Sequence, residues 1–381
     1  MILVCGRLAA AVATRFGLPG VFGELVLGLA LGPFVVRWLG GGDLIGELGE
    51  VGVLVLMLLV GLETDVTVVR SVGKSALLVA FGGARLAAGL TASVALGRGQ
   101  PLRVSLFIGV ALCATSVSIT AVTLRQMGRL DTPAGRTIMV AAVIDDVIGL
   151  LLVAMISQGG GSSPAVAGLR LIAFLGFVVA GGLVLRPLLT TLERHVEEFL
   201  AVAVGLGLLY AWAAQAIGGL AGITGAYAAG LVLARAMPHQ RFAHGVESLA
   251  SGFFATLFFV SLGLNVHLRA VSPQLVVLFG VLAITGKALG AGIGARLSGL
   301  SRGDTLIVSS GMVPQGEVSL IVAALGLREG LLSAGLFSTI VIAVLGTTLV
   351  TPVLLKFTCS LMENGLPVPA IAPRPIAGGS D

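Results

Sequence analysis

The sequence predicts an all-α polytopic membrane protein of about 13 transmembrane helices. Of its 381 residues, 56% are hydrophobic and only 11% are charged. The mean hydropathy is +1.07, and a soluble domain of this size could not cover so much apolar surface. Runs of about 20 apolar residues, the length that crosses a bilayer, are joined by short polar turns. The chain is therefore expected to form a single membrane domain.

Apolar runs bounded by loop residues mark the individual spans. The predicted spans cover residues 2–16, 20–36, 49–64, 75–96, 104–125, 134–158, 167–188, 197–217, 221–237, 248–266, 272–298, 304–326 and 332–357. The first span is short and has no signal-peptide pattern, which suggests a truncated or misassigned start. An odd count puts the termini on opposite sides, and most loop arginines and lysines then share the side of the C-terminus. The positive-inside rule thus predicts the inner (cytoplasmic) membrane with a cytoplasmic C-terminus.

The charge of the chain does not indicate nucleic-acid binding. The formal net charge is +5, but the basic residues are scattered singly through loops and form no stripe. Cys5, Cys113 and Cys359 are odd in number and far apart, so they indicate neither a disulfide framework nor a metal cluster. No cofactor is expected, and the predicted surroundings are the lipid bilayer.

Charged residues inside spans are costly and usually mark an ion path. The intramembrane set is Glu24, Arg85, Asp145, Asp146, Lys287 and Glu317. Asp145 and Asp146 lie together in VAAVIDDVIGLLLVAM, near the middle of an apolar helix. Adjacent residues project roughly 100° apart on a helix, so one carboxylate can face a wet cavity while the other reaches a different helix. Both are expected to exchange protons, and their titration should be coupled.

Lys287 is the expected counter-charge for these acids. It lies mid-span in LAITGKALGAGIG without an acidic neighbour in sequence, and a buried lysine needs a carboxylate partner. We expect it to pair with Asp145 in one conformational state and to be released in another. A lysine that snorkels to the membrane surface is the alternative.

Two spans look like broken helices. The segment Ala114–Thr120 places four hydroxyl groups, including those of Thr115 and Ser116, in mid-span; Gly311–Glu317 contains Gly, Pro314 and Gly. Freed backbone groups are tolerated at membrane depth only beside protein or water. The two segments recur at an offset of roughly 200 residues, the pattern of an inverted-repeat transporter whose broken helices cross. Simple proline and glycine kinks are the alternative.

At these residues the chain resembles the cation:proton antiporter superfamily, specifically its second branch. The resemblance covers nearly the whole length. It includes LPGVFGELVLGLALGP, LMLLVGLETD, CATSVSITAVTLRQMG, AAVIDDVIGLLL, FFATLFFVSLGLNV, the Lys287 segment and GMVPQGEVSLIVAALGL, in the order of the family. One departure is Gln315, which stands where the family usually has arginine and leaves the partner of Glu317 open.

The resemblance implies a thirteen-helix homodimer in which a core domain moves like an elevator against a dimerisation panel. The implied units are the panel (1–66 and 197–266), the core (72–158 and 272–357), a linker helix (167–188) and a disordered cytoplasmic tail (358–381). Asp146 would be the principal Na⁺ or Li⁺ ligand and Asp145 the partner of Lys287. Thr115, Ser116, Pro314 and Glu317 would form the crossing region.

The residues predict exchange of Na⁺, or Li⁺, for H⁺, with no enzymatic activity, and the resemblance implies that this exchange is electrogenic. K⁺/H⁺ exchange is an alternative, because carboxylate and hydroxyl oxygens suit all three cations. A sodium-coupled symporter of an organic anion is another, although Lys287 beside a double acid argues against it. An intramembrane aspartyl protease would need its two aspartates on separate helices, whereas Asp145 and Asp146 are adjacent. The sequence shows no ring of pore-lining charges of the kind that indicates a channel.

Overall fold

The computed structural model describes residues 2–16, 18–38, 44–63, 66–157, 164–192, 196–236 and 240–365. These residues are helical or form short connections, and no strand occurs among them. The helices are α1 (Ile2–Arg15), α2 (Gly20–Trp38), α3 (Leu44–Glu63), α4 (Val66–Gly97), α5 (Leu102–Ala111), α6 (Val117–Gln126), α7 (Pro133–Ser157), α8 (Pro164–Leu192), α9 (Val196–Ala213), α10 (Gly222–Ala236), α11 (Gln240–Leu249), α12 (Ala255–Leu264), α13 (Pro273–Leu297), α14 (Arg302–Gly311), α15 (Glu317–Arg328) and α16 (Ala334–Gly365).

Short non-α segments join some of these helices. Ala214–Gly218 continues α9 as a π-helical turn, and Ala250–Phe254 connects α11 to α12 in the same way. The backbone of α4 is non-helical at Gly73, where φ is 44°, a conformation that glycine adopts without a Cβ clash. Helix α13 begins at a capped end, because the Ser272 hydroxyl accepts a hydrogen bond from the Leu275 amide and Pro273 occupies the first turn.

Six helical stretches of the described chain are long and apolar enough to cross a membrane. They are Gly73–Gly97, Pro133–Ile156, Leu200–Gly218, Gly245–Leu264, Pro273–Leu297 and Ala334–Ser360, and shorter apolar helices accompany them. All thirteen predicted spans overlap a helix or a pair of half-helices. The count of thirteen crossings, the inverted repeat and the division into panel, linker and core stay predictions.

Glycine seams hold three pairs of helices in close contact. A methyl group at Gly290 of α13 would lie 2.1 Å from the carbonyl oxygen of Gly82 in α4. The same relation holds between Gly230 of α10 and the Leu58 carbonyl of α3, at 2.2 Å, and between Gly263 of α12 and the Leu25 carbonyl of α2, at 2.4 Å. Small residues that let backbones touch are how helices pack tightly in lipid.

The last helix is longer than predicted. The sequence predicts that this span ends at residue 357 and that a disordered tail begins at 358, but α16 continues to Gly365. Thr358 and Cys359 are buried, and the Thr358 hydroxyl lies 2.7 Å from that of Ser310 in α14. This packing against α14 holds the helix beyond the predicted boundary. Residues 366–381 of the predicted tail lie outside the described residues.

Candidate functional site

Two broken helices form the centre of the candidate site. Helix α5 ends at Ala111 and α6 begins at Val117; helix α14 ends at Gly311 and α15 begins at Glu317. The first interruption overlaps the hydroxyl-rich segment predicted at Ala114–Thr120, and the second falls within the predicted Gly-Pro-Gly segment Gly311–Glu317. Each break leaves backbone carbonyl and amide groups without the partners of a continuous helix.

The two breaks contact each other and supply those partners. The Ser116 amide donates to the Pro314 carbonyl at 2.7 Å. The Thr120 hydroxyl donates to the Gly311 carbonyl at 2.7 Å. Gly316 allows the contact, because a methyl group there would lie 2.5 Å from the Ser116 Cβ atom. Of the predicted crossing residues, Ser116 and Pro314 thus touch directly.

A buried ion pair lies beside this crossing. The Lys287 ammonium of α13 donates to Asp145 Oδ2 of α7 and to the backbone carbonyl of Cys113. The Thr115 hydroxyl donates to the same carboxylate oxygen at 2.7 Å. Lys287 is 1% exposed and Asp145 is 0% exposed, so the pair is removed from solvent. The predicted partnership of Asp145 with Lys287 is present in this structure.

Asp146 stands next to this pair without a counter-charge of its own. It is 8% exposed, and among the described residues no basic side chain forms an ion pair with it. Its Oδ1 atom is buried without a hydrogen-bond donor in the described part of the chain, as is Oδ1 of Asp145. Unpartnered carboxylate oxygens are costly in a low-dielectric interior and fit a bound cation or proton.

Gln315 and Glu317 occupy the second break. The Gln315 side-chain amide donates to the Leu112 carbonyl at the end of α5, while its backbone carbonyl accepts from Thr348 at 2.8 Å. Glu317 is the first residue of α15, and no ion pair of its carboxylate occurs among the described residues. Gln315 thus holds the end of α5 without a charge where the resemblance leads one to expect arginine.

The structure separates the remaining intramembrane charges from this centre. Glu24 of α2 is 3% exposed and accepts a hydrogen bond of 2.7 Å from Thr256 of α12, which joins two helices of the predicted panel. Arg85 of α4 is exposed on the surface of the helix bundle. Two hydrogen bonds of the centre are not predicted from the sequence: Lys287 to the Cys113 carbonyl, and the Gln315 side chain to the Leu112 carbonyl. Neither Cys nor Gln carries a sequence signal for such a bond.

A helical bundle with two broken helices that meet beside a buried acid–lysine pair defines a membrane transporter. Comparison with known proteins identifies its class more closely. The family model described as "Sodium/hydrogen exchanger, transmembrane" matches residues 1–361. The chain belongs to the sodium/hydrogen exchanger family and is a multi-pass membrane protein. Its place in the second branch of the superfamily stays a prediction.

Individual relatives cover almost the whole chain. The Na⁺/H⁺-K⁺ antiporter GerN of Bacillus cereus is 34% identical over 96% of each protein. An Na⁺/H⁺ antiporter of Enterococcus hirae is 30% identical over 94% of this chain and 96% of its own. The structure of the sodium proton antiporter MjNhaP1 from Methanocaldococcus jannaschii at pH 8 superposes with a TM-score of 0.70 and 19% identity, and covers 94% of both chains. That last similarity concerns the fold.

Proposed function

We propose that this protein exchanges Na⁺ or Li⁺ for protons across the cell inner membrane. One observation carries the proposal: Asp146, with a buried and unpartnered carboxylate oxygen, adjoins the Asp145–Lys287 pair at the crossing of two broken helices. Two acids and one lysine leave a net negative charge in a dry site, which attracts a single monovalent cation. The names of the relatives in B. cereus and E. hirae support the same assignment.

Exchange follows from competition for the same oxygens. When Na⁺ binds Asp146 it displaces the proton held there. When it also engages Asp145, the bond to Lys287 breaks and the lysine ammonium releases a second proton. Return of two protons, one to Asp146 and one to the Lys287 amine, restores the ion pair and closes the cycle. Because protonated carboxylates do not bind metal ions, cation affinity in this scheme falls as pH falls.

Movement of the site is part of the proposal. The core (72–158 and 272–357) would slide as an elevator against the panel (1–66 and 197–266), within a homodimer whose C-termini face the cytoplasm. In this scheme the two-proton form of the site is neutral and the Na⁺ form carries one negative charge, and both cross more readily than an empty site with two unneutralised acids. In cells, proton entry down its gradient would drive Na⁺ out.

K⁺/H⁺ exchange is the second candidate. It is favoured by the name of GerN, which includes K⁺, and by the oxygen ligands, which suit any of the three cations. A sodium-coupled symporter of an organic anion is less well supported. Lys287 is already engaged by Asp145, so the described crossing offers no free cation to an anionic substrate.

The test is cation-induced proton movement in proteoliposomes with an acidic interior. We expect Na⁺ or Li⁺ added outside to cause proton efflux in the wild type, and Asp146→Asn to reduce this efflux to the rate of protein-free vesicles. Asp131→Asn, in an exposed loop, is the matched control and should retain the wild-type rate. K⁺ in place of Na⁺ measures selectivity. Full exchange by Asp146→Asn would refute the proposed site, and Na⁺ uptake that needs an organic anion would favour the symporter.

A further inference from the structure

An ion pair outside the crossing bridges the two predicted moving units. Arg328 Nη2, at the end of α15, lies 2.7 Å from Glu50 Oε1 of α3. Helix α3 belongs to the predicted panel and α15 to the predicted core. Both residues lie at the end of the molecule that the positive-inside rule places outside the cell. Their side chains are 52% and 46% exposed, so the pair forms at the rim of the bundle.

A cavity lies between panel and core at the same position. Its volume is about 190 Å³. Glu50 and Arg328 contribute to its lining, together with Val53, Ile223, Ser261 and Asn265 from the panel side and Phe337 from α16. Ser261 and Asn265 add polar groups to a lining that already contains the two charged residues, and a water-filled entrance would need such groups. The pair therefore stands over a space that separates the two predicted units.

We infer that Glu50 and Arg328 form the outer gate of the exchange cycle: their ion pair holds the outer entrance closed in this structure and must break when the core moves. The inference rests on the proposed function. A slide of one helical turn is about 5.4 Å, and hydrogen-bonded charges separate once their atoms are more than about 3.5 Å apart. A core that carries the ion site across the membrane cannot keep this contact.

The Glu50–Arg328 ion pair is weak enough to break and form again in each transport cycle. Half-exposed ion pairs change an equilibrium by only about 1.4-fold to 5-fold, because water screens them and both side chains lose freedom. Such a pair biases the resting protein toward the closed entrance without blocking each turn of the cycle. Neutralising either partner should therefore open the entrance more often and leave the folded protein intact.

The first test measures access to the cavity and needs no transport. Ser261, which is 7% exposed, is replaced by cysteine and labelled with a membrane-impermeant maleimide from the outer side. We expect Glu50→Gln and Arg328→Gln each to raise the labelling rate a few-fold. The charge-swapped double variant Glu50→Arg/Arg328→Glu should restore the slow rate. Equal labelling rates in all four proteins would overturn the inference.

The second test ties the gate to the cycle. In reconstituted Glu50→Cys/Arg328→Cys, a short reversible bis-methanethiosulfonate linker should stop exchange, and reductant should restore it. Arg328→Cys/Ser333→Cys, whose exposed positions lie at the end of α15 and in the turn that follows it, is the matched control and should continue to exchange when linked. If the linked Glu50→Cys/Arg328→Cys protein exchanged ions as fast as the same protein without the linker, the gate would be refuted. Absence of exchange in the unmodified wild type would instead refute the proposed function.

Discussion

The Asp145–Lys287 pair is the residue-level feature from which the proposed mechanism is built. Both side chains are almost completely buried, and the carboxylate also accepts the Thr115 hydroxyl. Removing one charge of a buried pair leaves the other without compensation, which costs about 3–5 kcal/mol. Replacing both with neutral groups of similar volume removes that penalty. The pair is thus expected to affect stability and transport in different ways.

We predict that Lys287→Met lowers the stability of the purified protein strongly, and that adding Asp145→Asn recovers much of the loss. The recovery is expected because the double variant has no uncompensated charge at this position. Thermal unfolding in detergent at neutral pH measures all four members of the cycle. Additive losses would show that the two side chains do not act as a pair. The double variant should remain inactive in exchange, since the charge that releases the second proton is gone.

Sequence alone could predict this pair but not its surroundings. Charges in an apolar span are so costly that few residues qualify, and the sequence predicts Lys287 as the basic partner of Asp145. By contrast, the Cys113 carbonyl that accepts from Lys287 is one backbone group among many. Gln315 had no visible role because an amide carries no charge that demands a partner. Both contacts depend on how the broken helices pack against each other and against α13, and local sequence patterns do not encode this packing.

At the level of helices, the contact of α4 with α13 positions Lys287. Gly286 and Gly290 flank the lysine, and methyl groups there would lie 2.8 Å from the Ala87 Cα atom and 2.1 Å from the Gly82 carbonyl oxygen. The glycine spacing of α13 was visible in the sequence. Small residues at this spacing favour close helix packing in lipid, but the sequence does not distinguish glycines that pack from glycines that do not. Gly280 of the same helix, for example, has open space where a methyl group would be placed.

We predict that Gly290→Ala destabilises the protein by about 1–3 kcal/mol, since the added methyl forces two backbones apart. Gly280→Ala is the matched control and should be neutral or slightly stabilising, because alanine favours a helix. Midpoints of thermal unfolding in detergent distinguish the two variants. Exchange should also fall in Gly290→Ala, because a shifted α13 moves Lys287 away from Asp145. Equal stability of the two variants would contradict a role of Gly290 in the close packing of α13 against α4.

At the scale of the whole molecule, a sequence predicts those features whose absence of a partner would be costly in lipid, and it does not predict the others. The interrupted helices were predictable because prolines, glycines and hydroxyls at membrane depth need partners. The Glu50–Arg328 contact was not, because charges at span ends reach water and nothing forces them to pair. A gate made of half-exposed residues is therefore found only once the helices are arranged in space.

The proposed stoichiometry of two protons per cation has a consequence for the complete transport cycle. One net positive charge then enters for each Na⁺ that leaves, so a potential of 100 mV contributes about 2.3 kcal/mol per cycle. This shifts the limiting Na⁺ gradient roughly 50-fold. We predict that an inside-negative potential, set by valinomycin and a K⁺ gradient, drives ²²Na⁺ out of proteoliposomes that start with equal pH, equal Na⁺ concentration and equal ²²Na⁺ label on both sides. The same K⁺ gradient without valinomycin is the control and should cause no net efflux. The direction does not depend on how the protein is inserted, because it is fixed by thermodynamics. Efflux that is identical with and without valinomycin would establish electroneutral exchange, and Lys287 would then release no proton during the cycle.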